Sequence, residues 1–136
     1  MKPTNAFRYL SSSRNNIFQM TVSKRVISFN SNIVEKLARC PYVHILLDDE
    51  HHLLLLEPAE ESSPYAIPFL RNNGFRRVAI HYEAIVTPIQ HAVDGDLDQI
   101  GSVRVPGVYD PSENNFSFDL AKYMPVKESM DTEYDL

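Results

Sequence analysis

The stretch Pro41–Pro58, which reads PYVHILLDDEHHLLLLEP, decides the fold of this chain. Its two apolar runs, residues 42–47 and 53–56, are separated by the polar residues Asp48–His52. Short apolar runs joined by a few polar residues are typical of a β-hairpin. We therefore predict a hairpin of residues 42–47 with 52–56 at the centre of a sheet. Four consecutive leucines break the usual in–out alternation, which predicts that their strand is covered on both faces or packed against a neighbour.

A first helix is predicted just before the hairpin, over residues 31–39. Ser31 is a suitable N-cap, and the apolar residues that follow recur at helical spacing. Pro41 ends the helix, because a residue that precedes proline avoids the helical region.

A second, short helix is predicted over residues 88–93, where two periodicities compete. Apolar residues alternate from Val78 onward, which indicates a strand to about Tyr82. Thr87-Pro88-Ile89-Gln90 has the spacing of a capping box with proline at the first helical position. Starting the helix there avoids an internal proline, which costs about 3 kcal/mol. The connection over residues 82–87 is left open between strand and helix.

The remaining strands are short and separated by turn residues. Asn73-Gly74 is a strong hairpin dipeptide, so residues 65–70 and 75–82 are expected to pair. Further strands are predicted over residues 100–109 and 116–120. The sequence therefore predicts an α+β fold with a mostly antiparallel sheet.

Composition places the chain among ordinary soluble domains, with 43% hydrophobic and 23% charged residues over 136 positions. We predict a basic arm over residues 1–16, one α+β domain over 17–122 and an acidic tail over 123–136. No apolar run approaches the roughly 18 residues of a membrane span, and the first residues lack the apolar core of a signal peptide. A single cysteine fits a reducing compartment, so we predict a cytoplasmic protein without membrane contact.

Catalytic and cofactor motifs do not occur in the sequence. The four glycines form no phosphate-binding loop, and nothing in the sequence places one of the five histidines beside Cys40. The polar residues Asp48–His52 include metal-ligand types, but their spacing matches no known ligand motif. We therefore predict no enzyme activity, no cofactor and no metal.

Charge is distributed unevenly along the chain. The first 28 residues contain five basic residues and no acidic one: Lys2, Arg8, Arg14, Lys24 and Arg25. Aromatic residues lie between the first three of them, a mixture that contacts phosphate and stacks on bases. A nucleic-acid-binding regulator that uses this basic arm is therefore one hypothesis, against which stands the net charge of −5.

The block from Ile27 to Glu61 resembles a family of small uncharacterised proteins of bacteria, phages and mobile elements. The shared pattern is a strand ending in asparagine, a short helix, a Tyr-Val…Leu-Leu-Asp strand, a turn, an apolar strand and a proline. The matching residues are Asn30, Leu37, Tyr42, Val43, Leu46, Leu47, Asp48 and Pro58. The resemblance implies a compact α+β domain and implies no activity and no site residues.

These observations favour a non-catalytic interaction protein, a phage or mobile-element factor that binds and regulates a host macromolecule. Five acidic residues are the predicted contacts for a basic protein partner: Asp48, Asp49, Glu50, Glu60 and Glu61. Few helices are predicted to cover the leucine-rich strand. We therefore also predict that its surface, or the edge near residues 65–69, binds a second chain, as a homodimer or a hetero-complex.

Overall fold

The computed structural model describes residues 17–70 and 77–126. These residues form nine strands and three helices, in the order β1 Gln19–Val22, β2 Ile27–Phe29, α1 Ser31–Lys36, β3 Tyr42–Asp48, β4 Leu53–Pro58, β5 Ile67–Pro68, β6 Val78–Ile80, α2 Glu83–Ala92, α3 Leu97–Ile100, β7 Val103–Asp110, β8 Asn115–Asp119 and β9 Met124–Pro125. None of the helices in these ranges has the length and hydropathy that a membrane span requires.

The strands form one curled antiparallel sheet, which confirms the predicted α+β class. Eight strands follow the order β5-β3-β4-β8-β7-β1-β2-β6, and β9 pairs with β7. The hairpin β3–β4 therefore lies towards one end of the sheet, whereas we predicted it at the centre. The centre is β7 with β8, because β7 is the longest strand and has partners along both sides.

The strand β7 changes its partner half-way along its length. Residues 103–106 pair with β1, and residues 107–110 pair with β8. Gly107 lies at the change, where a Cβ atom would stand 2.7 Å from the ring of Phe118. The absence of a side chain at Gly107 thus lets β7 pass directly beside this buried ring.

One face of the sheet, the inner face, carries the core. Buried phenylalanines from three parts of the chain meet there: the ring centroid of Phe29 lies 5.7 Å from that of Phe69 and 5.9 Å from that of Phe118. Buried residues of all three helices belong to the same cluster. Since β2 and β8 are separated by two strands in the sheet, the contact between Phe29 and Phe118 shows that the sheet curls over its own core. The alternating burial of β3, β4, β8 and the second half of β7 places their opposite, outer face towards solvent.

The four leucines of β4 alternate in burial, so of the two predicted alternatives the strand is not covered on both faces, and it lies between its neighbours β3 and β8. Leu54 and Leu56 are fully buried, whereas Leu53 is 39% exposed and Leu55 is half-buried. A strand directs successive side chains to opposite faces whatever their chemistry. The uniform sequence therefore conceals a strand with one buried face and one outer face.

Helix α1 has the predicted position but different ends. Asn30, not Ser31, is the N-cap, and its side-chain oxygen accepts from the backbone N–H of Ile33. The last helical residue is Lys36, three residues before the predicted end. The backbone N–H groups of Ala38 and Arg39 donate to the carbonyls of residues 35 and 34, which is the pattern of a Schellman motif.

Helix α2 begins at Glu83 and continues through Pro88, so the predicted start at residue 88 is wrong. Pro88 itself is exposed, while Val86, Ile89 and Ala92 are buried on one side of the helix. Burial of this stripe offsets the hydrogen bond that the proline removes. Strand β6 accordingly ends at Ile80, short of the predicted Tyr82.

Two further expectations are corrected at the ends of the sheet. Strands β5 and β6 do not pair: they form the two opposite ends of the strand order. Residues 123–126, assigned above to the acidic tail, belong to the folded part, since β9 pairs with β7 and the Val126 N–H donates to the Ser102 carbonyl. The predicted Asn73-Gly74 turn, the arm over 1–16 and the rest of the tail lie outside the described residues.

Candidate functional site

An apolar row crosses the outer face of the sheet. The pairing register places Leu46 opposite Leu55, Leu55 opposite Ser117, and Ser117 opposite Val108. Ile17 extends the row, because the β1–β7 register and the bond from the Gly107 N–H to the Phe18 carbonyl place it beside Val108. We call Ile17, Leu46, Leu55 and Val108 the outer row.

The outer row is open to solvent. Val108 is 67% exposed, Leu46 is 46% exposed and Ile17 is 45% exposed. Leu53 precedes Leu55 by two residues on β4 and lies on the same face, where its side chain is 39% exposed and adds to the apolar surface. Leu46 and Leu55 are adjacent on neighbouring strands, Val108 and Ile17 are adjacent likewise, and Ser117 lies between the two pairs. Single exposed apolar residues are ordinary, but a group of them on one face is typical of interaction sites.

Acidic side chains surround the outer row on the same face. Asp48 precedes the β3–β4 turn, Glu57 pairs with His44, Asp110 ends β7 and Asp119 ends β8. We call these four residues the acidic rim. Strands β3, β4 and β8 and residues 107–110 contain no lysine or arginine. The Lys122 ammonium lies 3.9 Å from the Asp119 carboxylate and is itself largely exposed.

His44 connects the outer face to the loop after β4. Its Nδ1 lies 3.1 Å from the Glu57 carboxylate, and its Nε2 lies 2.6 Å from the Ser63 hydroxyl. Because a carboxylate only accepts hydrogen bonds, Nδ1–H donates to Glu57 and Nε2 accepts from the Ser63 hydroxyl in the neutral ring. Both ring nitrogens of His44 are therefore hydrogen-bonded on the outer face.

Ser63, His44 and Glu57 are hydrogen-bonded in the same order as the triad of a hydrolase. The backbone around Ser63 therefore decides whether this arrangement fits catalysis or a structural role. Acyl transfer needs backbone donors close to the serine to stabilise the oxyanion. The Ser63 N–H is already bonded to the Glu60 carbonyl at 3.0 Å, and Pro64 has no N–H. The arrangement thus supports a structural role: it fastens the loop 59–66 beside the outer row.

The polar turn of the hairpin brings three possible metal-ligand groups together. One ligand atom each of Asp48, Glu50 and His51 lie within 4.8 Å of one another, and all three residues are exposed. The Asp48 carboxylate accepts a hydrogen bond from the His51 ring, which lowers the pKa of Asp48 below its ordinary value. These contacts close the turn, as does the 2.7 Å bond between the His52 ring and the Ala92 carbonyl at the end of α2.

The five acidic residues predicted to contact a partner are all exposed, but they form two separate groups. Asp48, Asp49 and Glu50 lie at the turn of the hairpin, and Glu60 and Glu61 follow its other end. A strand the length of β4 separates the two groups by about 20 Å. The outer row lies between them, so a partner that contacts both groups crosses this row.

The basic residues of the nucleic-acid hypothesis are only partly described. Lys24 and Arg25 are exposed in the turn between β1 and β2, and the Lys24 ammonium lies 3.2 Å from the Asp98 carboxylate. Lys2, Arg8 and Arg14 lie outside the described residues. The described part of the chain thus pairs one of these cations with an acid and does not assemble them into a basic surface.

Cys40 and His81 are two further residues of types that occur in catalytic sites. Burial raises the pKa of the half-buried Cys40 thiol, which keeps it protonated and weakly nucleophilic at neutral pH. His81 lies directly after β6 and is exposed.

Comparison of the chain with protein-family models, curated proteins and solved structures gave no match. The resemblance of residues 27–61 to phage and mobile-element proteins therefore stays an expectation. The physical properties of the outer face carry the functional argument.

Sequence reasoning predicted a binding surface on the leucine-rich strand but did not identify the residues of the outer row from β3, β7 and residue 17. Its residues come from separate segments, and Leu46, Leu55 and Val108 each lie in an apolar run that also supplies the core. The available signal was the surplus of apolar residues in β4, since four leucines exceed what one buried face of a short strand can use.

Proposed function

We propose that this chain is a non-catalytic interaction protein that binds and regulates another protein through its outer face. The observation that carries the proposal is the exposed outer row enclosed by the acidic rim. Apolar surface at the centre of an interface supplies most of the binding energy, and charges at the edge select the partner.

The chemistry of the outer face defines the partner. An apolar strip of the partner packs on Leu46, Leu55 and Val108 and excludes water from the centre of the interface. Lysine or arginine residues of the partner, on either side of this strip, face the acidic rim. We therefore propose a protein segment that presents apolar side chains between basic ones. The exposed Asp49, Glu50, Glu60 and Glu61 extend the negative surface beyond both ends of the row.

A cytoplasmic phage or mobile-element factor that acts on a host protein fits this proposal, and the resemblance supports that setting. Nucleic acid is the less favoured partner, because the rim repels phosphate. The experiment below also tests this alternative, in which the basic residues bind nucleic acid: Lys2, Arg8, Arg14, Lys24 and Arg25.

The test selects short random peptides on the immobilised full chain and measures their affinity by calorimetry. We expect selected peptides to combine apolar with basic residues and to bind more weakly as salt is added. The variants Leu46→Ser and Val108→Ser should each weaken binding at least about fivefold, in the range of interface truncations that cost about 1 kcal/mol or more.

Met124→Ser is the matched control, since Met124 is 60% exposed and lies outside the outer row. Its affinity for the selected peptides should equal that of the unchanged chain. Peptides that are acidic, or that bind all four proteins equally, would contradict the proposal. Tight binding of a short single-stranded oligonucleotide, unaffected by the two row variants, would favour the nucleic-acid hypothesis instead.

A further inference from the structure

The chain enters the described structure at one end of the outer row. The side-chain amides of Asn30 and Asn32 both donate to the Ile17 carbonyl, at 2.9 and 2.8 Å. The Gly107 N–H donates to the Phe18 carbonyl at 2.8 Å. Residue 17 is therefore held beside Val108, and the sixteen preceding residues start from the edge of the outer face.

The sequence of these preceding residues is complementary to the outer face. Residues 1–16 contain Lys2, Arg8 and Arg14 and no acidic residue, and they contain the apolar run Phe7, Tyr9 and Leu10 around Arg8. The outer face offers the reverse: exposed apolar side chains and four carboxylates of the acidic rim, with no lysine or arginine on β3, β4, β8 or residues 107–110. Residues 1–16 therefore have the same kind of composition that we propose for the partner, with apolar side chains between basic ones.

The segment is also long enough to cover the row. From Val108 to Leu46 the row crosses three strand spacings, about 14 Å in total. Leu10 precedes Ile17 by seven residues, which reach about 23 Å when extended. Residues 7–10 can thus lie over Leu55 and Leu46 while Ile17 stays beside Val108.

We propose that residues 1–16 bind the outer face of their own chain and compete there with the partner. Phe7, Tyr9 and Leu10 contact the outer row, and Arg8 and Arg14 face the acidic rim. This inference rests on the proposed function and adds regulation to it: a partner must displace the segment. A second copy is a poorer occupant, because a two-fold contact through this face brings the two acidic rims together.

The experiment attaches a spin label to the full chain through Tyr9→Cys in a Cys40→Ala background. Cys40 is the only natural cysteine, so the label has one site. Methyl NMR signals of Leu46, Leu55 and Val108 should broaden strongly. The signal of Met124, exposed but away from the row, should broaden at least about twofold less. Adding Arg8→Glu and Arg14→Glu should reduce the broadening of the row, because their charges then repel the rim.

Equal broadening of Met124 and the outer row would overturn the proposal. A mixture of spin-labelled chain without NMR isotopes and isotope-labelled chain without spin label separates the two possible geometries. Broadening of the row in this mixture would show that the segment binds another copy, which also overturns it.

This result is independent of the peptide selection. If the segment does not broaden the row but selected peptides still need Leu46 and Val108, only the present inference fails. If the segment broadens the row but the row variants bind selected peptides normally, the proposed function fails.

Discussion

Ala38 occupies the position after a helix where glycine is strongly preferred. Its φ is 56°, and its N–H donates to the Glu35 carbonyl in the Schellman motif that ends α1. A non-glycine residue in the left-handed region costs about 1–2 kcal/mol, and Ala38→Gly removes this cost. Glycine loses more conformational entropy on folding than alanine, which cancels part of the gain. Ala38→Gly should therefore raise the free energy of unfolding by roughly 0.5–1 kcal/mol in urea titration.

Ala84 provides the matched control, since it is exposed within α2 and has ordinary helical geometry. Ala84→Gly should lower the free energy of unfolding by roughly 0.5–1 kcal/mol. The same substitution thus has opposite signs at the two positions. Equal destabilisation by both would show that the backbone at Ala38 is unstrained.

Cys40 gives the chain a defined response to alkaline pH. Burial disfavours the thiolate and raises the pKa of Cys40 in the folded state above its value in the unfolded chain. This difference in pKa leaves the free energy of unfolding unchanged at pH values below the pKa of Cys40 in the unfolded chain. It lowers the free energy of unfolding as the pH rises through the pKa of Cys40 in the folded protein. Alkylation of the folded protein by iodoacetamide should therefore rise with pH along a curve displaced to higher pH than that of the urea-unfolded chain. Coincident curves would contradict this.

Strand β7 depends on a close approach that only glycine permits. The Cβ of Gly107→Ala would stand 2.7 Å from Phe118, a ring that is fully buried and packed on Phe29 and Phe116. The ring has no solvent-exposed side towards which it can move. Gly107→Ala should therefore cost about 1–3 kcal/mol of unfolding free energy, as overpacked cores do.

A double-mutant cycle checks the cause at the level of the strand pair β7–β8. Phe118→Leu shortens the obstructing side chain and alone destabilises by leaving space in the core. In Gly107→Ala/Phe118→Leu the new methyl group occupies part of that space. The double mutant should therefore lose less free energy of unfolding than the sum of the losses in the two single mutants. A loss equal to that sum would show that the cost of Gly107→Ala comes from the backbone and not from the contact with Phe118.

The outer face determines how whole molecules associate. The sequence predicted a homodimer or a hetero-complex through the leucine-rich strand, and the structure leaves Leu46, Leu53 and Val108 exposed there. Four carboxylates on the same face oppose a contact between two copies at low salt. We expect sedimentation at micromolar concentration to show monomers in low salt and more dimer in high salt, since salt screens the rim.

Leu46→Ser tests whether such a dimer uses the outer row. This variant should remain monomeric in high salt, while Met124→Ser should behave as the unchanged chain. A dimer that forms in low salt and persists in Leu46→Ser would instead locate self-association elsewhere, for example at the edge near the highly exposed Tyr65.

Local pattern in the sequence determined the class of fold and the position of several elements. The turn between the two apolar runs places β3 and β4, and the apolar spacing after Asn30 places α1. These elements are predictable because alternation and helical spacing act between residues close in the chain. The polar turn and the acidic residues around the hairpin were recognisable for the same reason.

Only the tertiary structure decided which strands are neighbours and which apolar residues remain outside. The outer row joins Ile17, Leu46, Leu55 and Val108, and helix α2 continues through Pro88 because its buried stripe packs on the sheet. Both results depend on contacts between segments far apart in the chain, which local periodicity does not encode. The physical reason is that a strand has two faces of equal geometry, and its neighbours in space decide which of them is buried.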